Sequence, residues 1–159
     1  ACMRSRYTNQ KLRQNFHLFF EKDLFVLNPA AESRSQILAQ LHEVLYKKNY
    51  VNENFLENVY RREHAATTAF ANIAIPHAVE MDAIKTSVAV AISRRGFEWD
   101  GHTVYLVFLL AINKADKKAF RELYESLISL FGEDSILNEV RGCDSFEDFE
   151  RIIYTHVRD

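Results

Sequence analysis

The spacing of apolar residues changes several times along the chain, and each change marks an element. Leu24, Val26 and Leu27 make a short extended piece that ends at the turn signal Asn28-Pro29. Ser33 or Ser35 then caps a helix whose Ile37, Leu41, Val44 and Leu45 recur at helical spacing. A second short helix follows Asn52 and buries Phe55, Leu56 and Val59, and residues 61–72 read as a connection rich in small side chains. Three apolar runs come next. Residues 73–76 are brief, 86–93 (TSVAVAIS) close at Arg94-Arg95-Gly96, and 103–112 (TVYLVFLLAI) are almost continuously apolar. A run of that kind, with β-branched and aromatic members, fits a central strand covered on both faces. Gly96 and Gly101 bracket FEWD as a turn region. Helices then return. Residues 115–131 carry Phe120, Leu123, Tyr124, Leu127, Leu130 and Phe131 on one stripe. A short helix over 133–140 stops at Gly142, and Ser145 caps a last one with Phe146, Phe149, Ile152 and Ile153 inward. The pattern predicts an α/β sandwich of modest size.

Composition narrows the reading. With 159 residues the chain is the size of one domain. Only 4 Gly and 2 Pro leave little room for long loops. A net charge of −2 gives no basic excess of the kind a nucleic-acid binder carries. The longest apolar run, 104–112, is too short for a membrane span, which needs about 20 residues. Cys2 and Cys143 provide neither metal-ligand spacing nor a disulfide framework, and no signal peptide opens the chain, so a cytoplasmic location is expected. Ala1, Cys2 and Met3 read as residues foreign to the natural chain, which is expected to be a piece of something longer. Residues 1–18, basic at Arg4, Arg6, Lys11 and Arg13, read as a linker, or as an added helix or one that joined another domain. Residues 19–159 read as the domain proper.

The segment 67–77, TTAFANIAIPH, is the strongest candidate for chemistry. Pro76 fixes its own φ and pushes Ile75 into an extended conformation, so His77 leaves a short strand from a rigid backbone. Imidazole titrates near neutral pH, and one ring nitrogen can act as a nucleophile while the other is hydrogen-bonded. An isolated Pro-His is more often an ordinary surface histidine, and the surrounding residues carry the rest of the argument.

Thr67 lies ten residues before His77 and Arg61 sixteen before it, and the tetrad Ala74-Ile75-Pro76-His77 precedes the run VYLVFLLAI. Over residues 19–154 this arrangement resembles the enzyme IIA domain of the fructose/mannitol type, from the bacterial phosphoenolpyruvate-dependent sugar phosphotransferase system. The resemblance implies a mixed central sheet of about five strands with helices on both faces. It implies that His77 accepts a phosphoryl group from phospho-HPr, the histidine phosphocarrier protein. It gives Arg61 the phosphate-stabilising role, for which a guanidinium fork suits better than an ammonium, with Thr67 donating its hydroxyl. The family's Arg-Glu pair falls at Arg61-Arg62 by spacing, while Arg62-Glu63 supplies such a pair one residue later. Arg62, His64, Ile75, Val79, Met81 and His102 are then rim or partner-contact residues. The downstream partner is an enzyme IIB or a regulator domain; no cofactor, metal, nucleic acid or membrane insertion is implied.

Two departures bear on the role. Residues 68–72, TAFAN, contain none of the glycine usual at this place in the family. Transport-type members also carry a second histidine after the central strand, and here Phe120 takes that position. Phe cannot hydrogen-bond a phosphate, which points to a phosphorylation sensor such as those attached to transcription regulators. A binding module of the same fold, never phosphorylated, is the alternative. His17, His42 and His156 read as helix-surface residues, Cys143 as a buried small residue and Trp99 as packing within a turn.

Overall fold

A computed structural model describes residues 3–158, and the side chains from Arg6 onward; Cys2 lies outside the described residues. Among these residues the chain runs α1 (Met3–Gln14), α2 (Phe16–Phe19), β1 (Phe20–Leu27), α3 (Arg34–Lys47), α4 (Phe55–Ala65), β2 (Ile73–Ala74), β3 (Ser87–Trp99), β4 (His102–Ala111), α5 (Lys117–Phe131), α6 (Asp134–Arg141) and α7 (Phe146–His156). The strands form one sheet of order β1-β3-β4-β2, with β3 and β4 antiparallel and the outer strands parallel to their neighbours. The mixed sheet flanked by helices is as expected, but it has four strands rather than about five. FEWD is not a separate turn: Phe97, Glu98 and Trp99 continue β3 and pair with Val104, Thr103 and His102. The turn itself is Asp100-Gly101, with φ of 50° and 82°, the doubly positive pattern of a two-residue hairpin.

Period-two alternation divides the core into two layers. Val88, Val90 and Ile92 of β3 and Leu106, Phe108 and Leu110 of β4 face α5, α6 and α7. Ala89, Ala91, Val107, Leu109 and Ala111 face α3 and α4. The small β3 residues Ala89 and Ala91 leave room there for Ile37, Leu38, Leu41 and Leu45 of α3. That helix is fixed at its start by Ser33, whose hydroxyl accepts from the Gln36 amide while the Gln36 side chain accepts from the Ser33 amide.

The N-terminal stretch is a packed helix rather than a solvated linker. Leu12 and Phe16 are buried in the layer that holds α5 and α7, so the core begins before residue 19. Phe16 stacks on Phe20 at 4.8 Å. Arg13 donates to the carbonyls of Tyr154 and Val157 and lies over the Tyr154 ring, so one of the basic residues caps the end of α7. No described helix is long and apolar enough to cross a membrane.

Gly96 stands where β3 shifts register against β4. Its φ is 97°, and a Cβ there would lie 2.6 Å from Cγ2 of Thr103. Gly101, at φ 82°, has open space around it. Gly96→Ala is therefore expected to cost about 2–4 kcal/mol, combining backbone strain with overpacking, against about 1 kcal/mol for Gly101→Ala. Urea unfolding of the two variants tests this, and equal costs would contradict it.

Candidate functional site

The chain reaches His77 along the open edge of β4. Ile73 pairs with Leu106, Ala74 with Val107 and His77 with Leu110, so no residue is gained or lost across Pro76. The Leu110 amide donates to the Pro76 carbonyl at 3.0 Å. Pro76 has no amide to offer the sheet, and the outer edge is where its absence is tolerated. Alternation sends Ile73, Ile75 and His77 to one face and Ala74 to the other. His77 therefore meets α5, where Phe120 and Tyr124 lie one turn apart. The imidazole is 4.9 Å from the Phe120 ring and 5.9 Å from the Tyr124 ring, edge to face with both.

His77 is 9% exposed. Its Nδ1 lies 3.0 Å from the Ile75 carbonyl, which can only accept, so Nδ1 carries the proton and Nε2 the lone pair when the ring is neutral. Burial lowers the imidazole pKa below its ordinary value; the Ile75 carbonyl opposes this, the Arg62 charge adds to it, and the Glu63 charge opposes it. Phe55, Ala78, Glu80, Met81 and Ile112 line a depression beside His77 that is too tight to admit a water molecule.

Behind this ring lies a buried carboxylate. Glu63, in the last turn of α4 and 2% exposed, accepts from Thr67 Oγ1 at 2.8 Å, Thr68 N at 2.9 Å, Thr68 Oγ1 at 2.6 Å and Trp99 Nε1 at 3.0 Å. Thr68 Oγ1 in turn accepts from the Ile75 amide at 3.2 Å. The Ile75 peptide unit is thus tied at its nitrogen to the Glu63 cluster, and the Ile75 carbonyl receives His77. The following loop closes through Phe70 and Ile73, which exchange two backbone hydrogen bonds around Ala71, at a φ of 51°. The glycine-free segment thus places an alanine in a left-handed conformation that favours glycine.

The residues expected from the sequence separate into those brought together and those not. Arg62, partly buried, bears electrostatically on both His77 and Tyr124, and its Nη1 donates to Ala66 O at 2.6 Å. Arg61 does not join them. It is exposed on the outer face of α4, where it approaches Glu57 at 3.8 Å. Residues 61–65 continue the helix, and one step along it turns a side chain by roughly 100°. Thr67 serves Glu63 and accepts from the Ala69 amide. His64 is exposed near Tyr60. Ile75 and Ala78 are buried and unavailable as rim, Val79 is 62% exposed, and Met81 packs partly against the core. His102 opens β4 while Leu110 lies near its end, so at about 3.3 Å per residue the two are roughly 25 Å apart. Trp99 is a hydrogen-bond donor to Glu63 in addition to its packing. Glu63 as hub, Thr68 and Tyr124 were not singled out for the site. The signal available for Tyr124 was its position four residues after Phe120, on the same helical face. Cys143 is buried, with its thiol pushed up to about 11 by that burial. Among the described residues no group of three or more His, Cys, Asp or Glu side chains converges as metal ligands.

Comparison with known proteins follows the same lines. Residues 18–156 match the family model described as "Phosphoenolpyruvate-dependent sugar phosphotransferase system, EIIA 2". The chain is 24% identical over 149 residues to the probable licABCH operon regulator of Bacillus subtilis, covering 93% of this chain and 21% of the regulator. It is 30% identical over 118 residues to the transcriptional regulator ManR of the same species, covering 74% of this chain and 18% of ManR. The chain therefore spans about a fifth of the length of these relatives. The solved complex of enzyme IIA and phosphorylated enzyme IIB for mannitol, from Escherichia coli, superposes with a TM-score of 0.74 at 19% identity, over 86% of this chain and 98% of the other.

Two outcomes follow from this geometry. Glu63→Ala strands four donors in the interior and is expected to cost about 3–5 kcal/mol in urea unfolding; a loss below about 1 kcal/mol would show that the cluster is dispensable. For His77, the depressed folded pKa means that the folded chain holds fewer protons than the unfolded one. Its contribution to stability is complete above the unfolded value of about 6.5 and is lost as pH falls through the folded value. Titration of the ring by NMR is expected to show a midpoint below that of an ordinary histidine, and Phe120→Ala, by admitting water, is expected to move the midpoint upward.

Proposed function

The chain belongs to the EIIA 2 family of the phosphoenolpyruvate-dependent sugar phosphotransferase system, and from that premise we propose that it is a cytoplasmic domain that accepts a phosphoryl group from phospho-HPr on Nε2 of His77. The observation that carries this reading is the tie between Nδ1 and the Ile75 carbonyl. It assigns the lone pair to Nε2, and burial keeps the ring neutral at physiological pH, so the nucleophile needs no separate base. Attack by Nε2 on phosphorus breaks the N–P bond of the donor histidine, whose electron pair returns to the donor imidazole. Such a transfer depends mainly on alignment and charge stabilisation. Alignment comes from the edge of β4 and the Glu63 cluster. Charge comes from Arg62, which takes the role that spacing had given to Arg61.

Two observations favour a regulatory use. Phe120, an apolar ring, meets His77 from α5. The similarity to the licABCH regulator and ManR extends over a segment of each. Phosphorylation would then change the charge at the α5 face and so bias a neighbouring domain. Relay to an enzyme IIB is the second reading, favoured by the shared fold with the mannitol enzyme IIA that was solved in complex with phosphorylated enzyme IIB.

Intact-mass spectrometry after incubation with phosphoenolpyruvate, enzyme I and HPr tests the proposal. One acid-labile phosphoryl mass is expected, and none in His77→Ala. Arg62→Ala is expected to slow charging about tenfold or more, the scale of one lost charge-assisted contact, whereas Arg61→Ala should stay within about twofold. Absence of charging under conditions that phosphorylate HPr would leave a binding module of the same fold. Adding an enzyme IIB to the charged domain separates relay from sensing.

A further inference from the structure

We propose that the Tyr124 hydroxyl binds the phosphoryl group on His77, as the neutral hydrogen-bond donor that complements the Arg62 charge. The inference rests on His77 being the acceptor, and it adds a residue that the sequence reading placed only in the core stripe of its helix.

A phosphoryl group on Nε2 would bring three acceptor oxygens and nearly two negative charges to a histidine whose neighbours include the apolar side chains of Phe55, Ala78, Met81, Leu110, Ile112 and Phe120. None of these six side chains can donate a hydrogen bond, and Glu80 beside them is an acceptor when ionised. Thr67 and Thr68 are close in sequence, but both hydroxyls already donate to Glu63. Arg62 retains donors beyond the Nη1 bond to Ala66 and supplies charge. Tyr124 is the other ring that touches His77, at 5.9 Å and 85°, and unlike Phe120 it carries a donor. The two α5 rings are 5.7 Å apart, so Phe120 holds the Tyr124 ring at the site. The same two charges, Arg62 and Glu63, act on the Tyr124 hydroxyl as on the His77 ring, and burial keeps the phenol protonated at neutral pH. A protonated phenol beside a cation is suited to a dianion: it donates to the phosphoryl oxygens and accepts no charge from them.

Tyr124→Phe removes the hydroxyl and retains the ring. The domain would be charged by enzyme I, HPr and phosphoenolpyruvate, and the rate of charging and the equilibrium against phospho-HPr would be followed by mass spectrometry. The unfolding midpoint would be recorded in parallel as a control for the fold. With the midpoint unchanged, charging is expected to fall about tenfold, the scale of one hydrogen bond to a charged group. Phe120→His returns a donor to the same face of His77 and is expected to raise charging more in the Tyr124→Phe background than in the wild type, because the two donors then substitute for one another; equal gains in both backgrounds would contradict the inference. If wild type charges and Tyr124→Phe charges at the same rate, the inference is wrong and His77 remains the acceptor. If the wild type takes no phosphoryl group, the reading on which it rests falls as well.

Discussion

The arrangement around His77 depends on keeping one carboxylate out of water. A charge as buried as that of Glu63 is costly unless its oxygens are filled, and four donors fill them. Those donors come from two parts of the chain far apart in sequence: the loop after α4 and the far end of β3. Satisfying Glu63 therefore fixes the end of α4 against the sheet and pins the loop that leads into β2. Thr68 passes the constraint on to the amide of Ile75, and the other end of that peptide unit receives the histidine. The rigidity with which the imidazole is held is a by-product of burying one acid.

Against this rigid back wall, the front of the site is apolar. Phe120 and Tyr124 press on His77 and remove it from solvent, which disfavours the cationic ring. The same exclusion of water strengthens the effect of any charge that does enter. A neutral imidazole in a dry setting beside one partly buried guanidinium is an electrostatic arrangement that would change greatly on arrival of a dianion, and the helix bearing both aromatic rings is the element that would feel the change.

Much of this was legible in the sequence. The 3.6-residue stripe of α5, the capping signal at Ser33 and the apolar run of β4 gave the layers, and the Pro-His exit marked His77 as the candidate residue, because each depends on neighbours within one element. What the sequence left undecided shares a cause in long-range contact. Arg61 and Arg62 differ by one step on a helix, and nothing local says which side of α4 faces the sheet. His102 belongs to β4, the strand that the site lies against, yet at its opposite end. Gly96 and Gly101 looked like brackets of a turn, whereas only Asp100-Gly101 turns and Gly96 makes room for Thr103. Residues 1–18 read as a basic linker or helix, and the packing of α1 and α2 rests on Leu12 and Phe16 meeting partners supplied by α5 and α7. Glu63 had no recognisable signature, since a glutamate near a helix end is ordinarily solvated.

The unbroken pairing of residues 73–77 with β4 has a consequence for how this segment can vary. Because side chains alternate along an extended strand, the face on which His77 emerges is a matter of parity. Removal of a single residue between Ile73 and His77 would turn the imidazole toward the α3–α4 layer, away from Phe120, Tyr124 and the open edge, while leaving every hydrophobic residue of β4 in place. Insertions at the hairpin tip after Trp99 carry no such penalty, as the chain there only has to return. Length variation among descendants of this chain should therefore collect at the Asp100-Gly101 tip and avoid the five residues that end in His77.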